Sequence, residues 1–378
     1  MKLLHTSDWH LGAADGVRPL LDDQKFFIDE ICRIVQREQV DAVLIAGDVY
    51  DRSVSSAEVI RLYDYAMTRL CMELHTPVCA IAGNHDSAER LASCSELLSQ
   101  VGLHIAGALT REPQIVAFDD AEIFLLPWIT EARVKSAFPE EKDAVRSLED
   151  AFRVVADRYR AAFAPNKKHV LMAHAYIADT ETSTSDRSAE IGFAPQVSAD
   201  VFHGFDYVAL GHLHKPQDVS ASIRYSGTPM PYSFGKEEKQ EKSVTLIDTA
   251  SMEKTVVPLP LLHRRTTISG TMEEVLHFAC ADDVKNGYVR AVVTDSYLGL
   301  EALTELRQVY PNLLDCVGKS FEGADSSVTL TVQELEELER DPVEVLCYFC
   351  REELDLQPDE RLIAMFTEAV RAVEEVRK

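Results

Sequence analysis

The run Ala42-Val43-Leu44-Ile45-Ala46 passes straight into Gly47-Asp48, and that junction constrains the fold more than any other part of the chain. A short, unbroken apolar run reads as a strand buried on both faces, the kind found in parallel sheets. An aspartate at its end lies outside the carboxyl edge of the sheet, where open α/β folds place ligands. Asp beside Gly is, taken alone, ordinary turn chemistry. Four further strand-like runs end the same way. Residues 2–6 lead to Asp8-Trp9-His10, 77–82 to Gly83-Asn84-His85-Asp86, 169–173 to His174, and 205–210 to Gly211-His212-Leu213-His214.

The segments between these runs have helical periodicity. Phe26, Phe27, Ile31, Ile34 and Val35 form one stripe over 22–39. Val59, Leu62, Tyr63, Ala66 and Leu70 form another, running from a cap at Ser55 or Ser56 to about Leu74. The first 86 residues thus alternate strand and helix, which predicts a layered α/β fold. Short strands are expected at 103–108, 114–118 and 121–126, with Asp119-Asp120 as a turn, followed by a long helix over 140–164. Strands near 222–226 and 243–249 complete the main domain. The stretch 179–186 has neither period nor core residues and is expected to be a mobile loop beside His174.

Pro258, Pro260 and Gly270 bracket a boundary. The expected organisation is a main domain over 1–262, a small α/β domain over 263–340 and a helical segment over 341–378. The small domain should contain helix 271–281, strand 288–294, helix 299–309 and apolar runs near 312–317 and 327–332. The tail carries two amphipathic helices, 343–354 and 358–377, with too little chain around them to bury both, so they should dock on a partner or on this chain.

Composition narrows the function. No run approaches the ~18 apolar residues of a membrane span, and the N-terminus turns polar too soon for a signal peptide, so a cytoplasmic protein is expected. Most of the eight cysteines lie in apolar stretches, as reduced thiols do. Cys347-x-x-Cys350 lacks the second pair a structural zinc site needs. With 38 basic against 63 acidic residues the net charge is −25, which argues against a protein that grips nucleic acid through a broad basic surface. It leaves room for a nuclease that draws positive charge from metals and a partner. Arg264, Arg265, Lys236, Lys239 and Lys242 are candidate DNA contacts.

Asp8, His10, Asp48, Asn84, His174, His212 and His214 form a mixed imidazole, carboxylate and amide set suited to manganese, iron or zinc rather than calcium. Asp8 and His10, like His212 and His214, are two residues apart and face the same way in extended chain. Seven ligands exceed what one open ion takes but suffice for two if Asp48 bridges. Two ions about 3.5–4 Å apart form the usual clamp for hydrolysing a phosphate ester. His5, His75, His104, His169 and His203 read as structural histidines.

These motifs, in this order, resemble those of the calcineurin-like metallophosphoesterases, a β-sandwich flanked by helices. Asp206-Tyr207-Val208-Ala209-Leu210-Gly211-His212-Leu213-His214 and Arg224-Tyr225-Ser226-Gly227-Thr228-Pro229-Met230-Pro231 resemble the branch formed by nuclease subunits of bacterial nuclease–ATPase complexes. The resemblance implies a manganese-dependent DNA exonuclease and endonuclease. Asp8, His10, Asp48 and His214 would hold one ion, and Asp48, Asn84, His174 and His212 the other. His85 would approach the phosphate and help the leaving oxygen depart, with Asp86 either orienting it or capping the turn. Magnesium or another divalent ion is an alternative. The small domain would help place DNA, the tail helices would bind the coiled-coil base of an ATPase, and two copies would pair within a heterotetramer. Position 51 departs from archaeal and eukaryotic relatives, which carry histidine there. Two other readings stand beside this one: a phosphoesterase for small molecules or phosphoproteins, and a non-catalytic scaffold for an ATPase.

Overall fold

Every residue from Ala42 to Ala46 is buried, as an unbroken apolar run requires. The computed structural model describes residues 1–15, 18–183, 185–186, 196–278, 282–295, 300–318 and 361–367. Strand Ala42–Ala46 lies near the middle of a six-stranded sheet ordered Lys254–Pro258, Ser243–Asp248, Lys2–Thr6, Ala42–Ala46, Val78–Ile81, Leu103–Ala106. The last four of these are mutually parallel. A second six-stranded sheet runs Gln217–Asp218, Ile223–Tyr225, Tyr207–Gly211, Lys168–His174, Ala121–Leu126, Ile115–Ala117.

The sheets stack through a core of Leu3, Leu44, Cys79, Ile81, Val170, Met172 and Tyr207, all essentially free of solvent. Helices Leu21–Glu38 and Ala57–Met67 cover the outer face of the first sheet. Helix Leu148–Ala161 covers that of the second. The fold is therefore a β-sandwich flanked by helices, and its parallel strands send their carboxyl ends to one rim.

Several expectations change in detail. The helix expected over 140–164 is a short turn at Pro139–Glu141 and then Leu148–Ala161, because Ser147 and Asp150 build a reciprocal cap that starts the helix late. Helix Ala57–Met67 continues into a wider turn at Thr68–Glu73, reaching the expected end by another geometry. The boundary region holds strand Arg265–Gly270, which joins Tyr288–Val293 and Leu313–Gly318 in a third, all-parallel sheet. That sheet has its own core of Ile268, Val275, Val289, Ala291, Leu306 and Tyr310.

Residues 361–367 are helical. The apolar run near 327–332, the helix expected over 343–354, the Cys347/Cys350 pair and most of 358–377 lie outside the described residues. No helix among the described residues is long and apolar enough to cross a membrane.

Candidate metal centre

The seven candidate ligands come from both sheets. Asp8, His10, Asp48 and Asn84 follow strands of the first, while His174 ends a strand of the second and His212 and His214 follow the strand beside it. Their approach is tight enough to distort the chain. Asp8, His10, Asp48 and His212 all have positive φ, at 52°, 41°, 47° and 104°, a region that L-residues rarely occupy. Strain of this kind persists where surrounding structure over-determines it, as at functional sites. Gly47 is glycine for a related reason: φ is +91°, and a Cβ there would sit 2.2 Å from His174 Nδ1.

The donor atoms converge. His10 Nε2 lies 3.1 Å from His214 Nε2 and 3.7 Å from Asp48 Oδ2. His174 Nε2 lies 2.9 Å from Asn84 Oδ1 and 3.3 Å from Asp48 Oδ2. His212 Nδ1 is 3.0 Å from the same Asn84 oxygen. Two triads, Asp8/His10/His214 and Asp8/Asp48/His174, have ligand atoms mutually within 4.8 Å. Asp8 is common to both, and Asp48 stands between His10 and His174. All of these side chains are buried except Asn84, which is half-buried.

Supporting contacts fix ring tautomers. His174 Nδ1 donates to the carbonyl of Ala46 at 2.9 Å, which leaves Nε2 as the atom that could bind a metal. His214 has Ser185 Oγ at its Nδ1, and its backbone N–H donates to Asp186 Oδ1 at 3.0 Å. Ser183 and Asp186 are buried, so the expectation of a core-free loop over 179–186 is corrected: a polar stretch was mistaken for a solvated one because its partners lie far away in sequence.

Charges follow burial. Burial lowers His10 and His212 to about 3 and drives His214 well below the usual imidazole range, so these rings are neutral, as ligands must be. Burial also pushes Asp8 up to about 7, with Asp48 repelling its charge and His174 opposing the rise. For His174 burial works against the cation, yet Asp48 outweighs it and holds the ring up at about 9. Two buried nitrogens, His10 Nδ1 and His212 Nε2, have no hydrogen-bond partner among the described residues. Such a donor set, with orphaned nitrogens and facing imidazoles, fits a divalent metal.

His85 lies beside the centre, its ring 4.7 Å from that of His10. Its N–H donates to Asp48 Oδ1 at 2.9 Å, and its Nδ1 donates to the carbonyl of Asp51 at 2.9 Å. Asp86 accepts from the N–H groups of Val49, Tyr50 and Gly83, at 3.1, 2.9 and 2.9 Å. Of the two roles open to Asp86, these bonds support capping of the turn that carries His85. A cavity of about 290 Å³ opens over the centre, edged by Asp51, Arg52, His85, Tyr232 and Ser233.

Residues 1–216 match the model of the calcineurin-like phosphoesterases. The chain belongs to the calcineurin-like phosphoesterase family. Among curated members, the SbcD subunit of the nuclease SbcCD from Staphylococcus epidermidis is 32% identical over 330 residues, 86% of this chain and 87% of that one. Two solved structures also overlap it, at scores too low to add to the assignment. TT1561 of Thermus thermophilus aligns at 15% identity and TM-score 0.40, over 68% of this chain and 99% of its own. Yfce, a phosphoesterase from E. coli, aligns at 14% identity and TM-score 0.24, over 69% and 100%. As a calcineurin-like phosphoesterase, the chain uses divalent metal to hydrolyse phosphate esters.

Sequence reasoning missed Trp128, whose ring stacks on that of His212 at 5.5 Å and 26°. It also missed Tyr232, whose hydroxyl donates to the carbonyl of Trp9. Neither belongs to a periodic or ligand-like pattern, so no local signal marked them. Two candidate DNA contacts are corrected. Lys242 is buried against Glu237 at 3.0 Å, and Arg265 is buried against Asp15, so neither reaches a ligand from solvent.

Proposed function

We propose that this chain is the nuclease subunit of a DNA-processing complex, a manganese-dependent phosphodiesterase that acts as exonuclease on duplex ends and as endonuclease on single strands and hairpins. The observation that carries the proposal is the meeting of His10 with His214, and of Asp48 with His174, across two sheets. The length of the match to a subunit named as a nuclease supports the substrate.

Asp8, His10, Asp48 and His214 would hold one ion, and Asp48, Asn84, His174 and His212 the second. Bound there, the ions supply positive charge for the phosphate and acidify a water. His85, held through Nδ1 by the Asp51 carbonyl, gives a proton from Nε2 to the leaving oxygen. Asp86 holds the turn that presents it. Burial keeps His10, His212 and His214 neutral, while His174, held protonated by Asp48, would give up its proton to bind an ion.

The proposed organisation is a nuclease domain over 1–262, a capping domain over 263–340 that positions DNA, and helices over 341–378 that bind the coiled coil of an SbcC-type ATPase. Two such pairs would form a heterotetramer, working in cytoplasmic DNA repair and recombination. The test is cleavage of linear and hairpin DNA with manganese, magnesium or zinc, with and without the ATPase. His85→Ala should lower the rate by about 10²–10⁴. A loss below about tenfold would remove the acid role.

A further inference from the structure

The stacked pair Trp128–His212 joins two cavities. His212 belongs to the one over the metal centre, and Trp128 to a second, mostly apolar groove of about 410 Å³ shared with Ile129, Glu131, Ala132, Lys135 and Leu148. The indole is placed firmly. Its backbone N–H donates to the carbonyl of Ala82 at 2.8 Å, two residues before Asn84. Its ring lies against His212, and edge-on to His174 at 5.9 Å. It is nevertheless only half-buried, and its Nε1–H has no hydrogen-bond partner among the described residues.

Bracing His212 explains the covered part of the ring but not the groove. The charges at the rim are balanced, since Glu131 and Lys135 both line the groove. Arg133 folds back onto the Trp128 carbonyl at 3.3 Å, and Lys135 reaches Glu131 only at 3.9 Å. A flat π-face with an N–H donor at its edge is what an unpaired nucleobase recognises. An aliphatic side chain would use only the first of these. The ring-to-ring step from His212 places such a base roughly one or two nucleotides from a phosphate over the metals, at about 3.4 Å per nucleotide or more when unstacked.

We propose that Trp128 is the stacking platform for an unpaired nucleobase flanking the scissile phosphodiester. The proposal rests on the nuclease reading above and adds a reason for preferring frayed or single-stranded DNA, since a base inside a duplex has no free face to offer.

The experiment uses the full-length, manganese-loaded chain and single-stranded oligonucleotides carrying one abasic position, scanned across a fixed cleavage site. Base–aromatic stacking predicts that one position, one or two nucleotides from the cut, lowers cleavage about 5- to 100-fold. Trp128→Ala should slow the intact strand by a similar factor and erase the effect of that abasic position, while Trp128→Phe restores most of both. A flat scan in the wild type overturns the proposal without reference to any variant. So does a Trp128→Ala effect that multiplies with the abasic effect, because a ring that only braces His212 would act independently of the base. A protein that hydrolyses bis(p-nitrophenyl) phosphate but cuts no DNA would remove the nuclease reading, and this subsite with it. Cleavage with a flat scan removes the subsite alone.

Discussion

Asp48 and His174 face each other across 3.3 Å, with almost no solvent on either side chain. Each perturbs the other: burial favours a neutral Asp48, yet His174 and its neighbours hold that carboxyl well below the usual range. Asp48 also meets the His85 N–H and approaches His10, so removing it disturbs three histidines at once. Losing a contact that merely supports a ligand typically weakens metal binding about 10–100-fold. Asp48→Ala should therefore weaken manganese binding by at least about 100-fold, read by equilibrium dialysis with elemental analysis. Manganese binding as tight as in the wild type would show that Asp48 is not a ligand.

Gly83 has Asp48 directly above it. A Cβ would lie 2.1 Å from Asp48 Oδ1 and 2.4 Å from its backbone nitrogen, and the backbone cannot yield. Displacing a reacting group by about 1 Å can cost about 10²-fold in rate. Gly83→Ala should lower hydrolysis of bis(p-nitrophenyl) phosphate by about that factor, with the far-UV circular dichroism unchanged.

Lys242 and Glu237 form an ion pair from which solvent is excluded on both sides. Lys242 also donates to the carbonyl of His214 at 3.2 Å and to Thr228 Oγ1 at 2.7 Å. Lys242→Met leaves a buried carboxylate unpaired and should cost about 3–5 kcal/mol in urea unfolding. Pairing it with Glu237→Leu should recover much of that loss. A single variant as stable as wild type would contradict the geometry.

His5 gives a pH signature away from the ligands. Burial lowers it from 6.5 to about 3, and it bonds Tyr207 Oη at 2.9 Å and the Leu210 carbonyl at 3.1 Å. The unfolded chain binds this proton more readily than the folded one. The contribution of His5 is thus complete above about pH 6.5 and falls as pH drops below it, by up to about 1.4 kcal/mol per unit. His5→Gln should flatten the dependence of metal-free stability on pH between about 6.5 and 5. An unchanged slope would place that proton elsewhere.

The parts of the centre written in short runs were legible in the sequence. Strand ends such as Ala46-Gly47-Asp48 are visible locally, because burial on both faces demands an apolar run and a polar side chain marks where it stops. The small domain was traceable in part, with helices Met272–His277 and Leu300–Val309 and strand Tyr288–Val293 close to their expected places, whereas strand Arg265–Gly270 fell in the stretch expected to be a boundary. Contacts made by chain return were not legible. Asp186 reads as a loop residue until His214 comes back to it, and Trp128 is one aromatic residue after a proline. Lys242 looks like any surface lysine until Glu237, Thr228 and the His214 carbonyl close around its amine and make it a core residue.

His10 and His214 are 204 positions apart in sequence, and they meet at the seam between the two sheets. An ion held there would act as a rivet, closing a long loop and resisting any opening of the sandwich along its middle. At a hundred times its dissociation constant such a ligand adds about 2.7 kcal/mol to the folded state. Metal supply would then govern how long the molecule survives proteolysis as well as how fast it works, and a starved cell would lose the protein itself along with its activity.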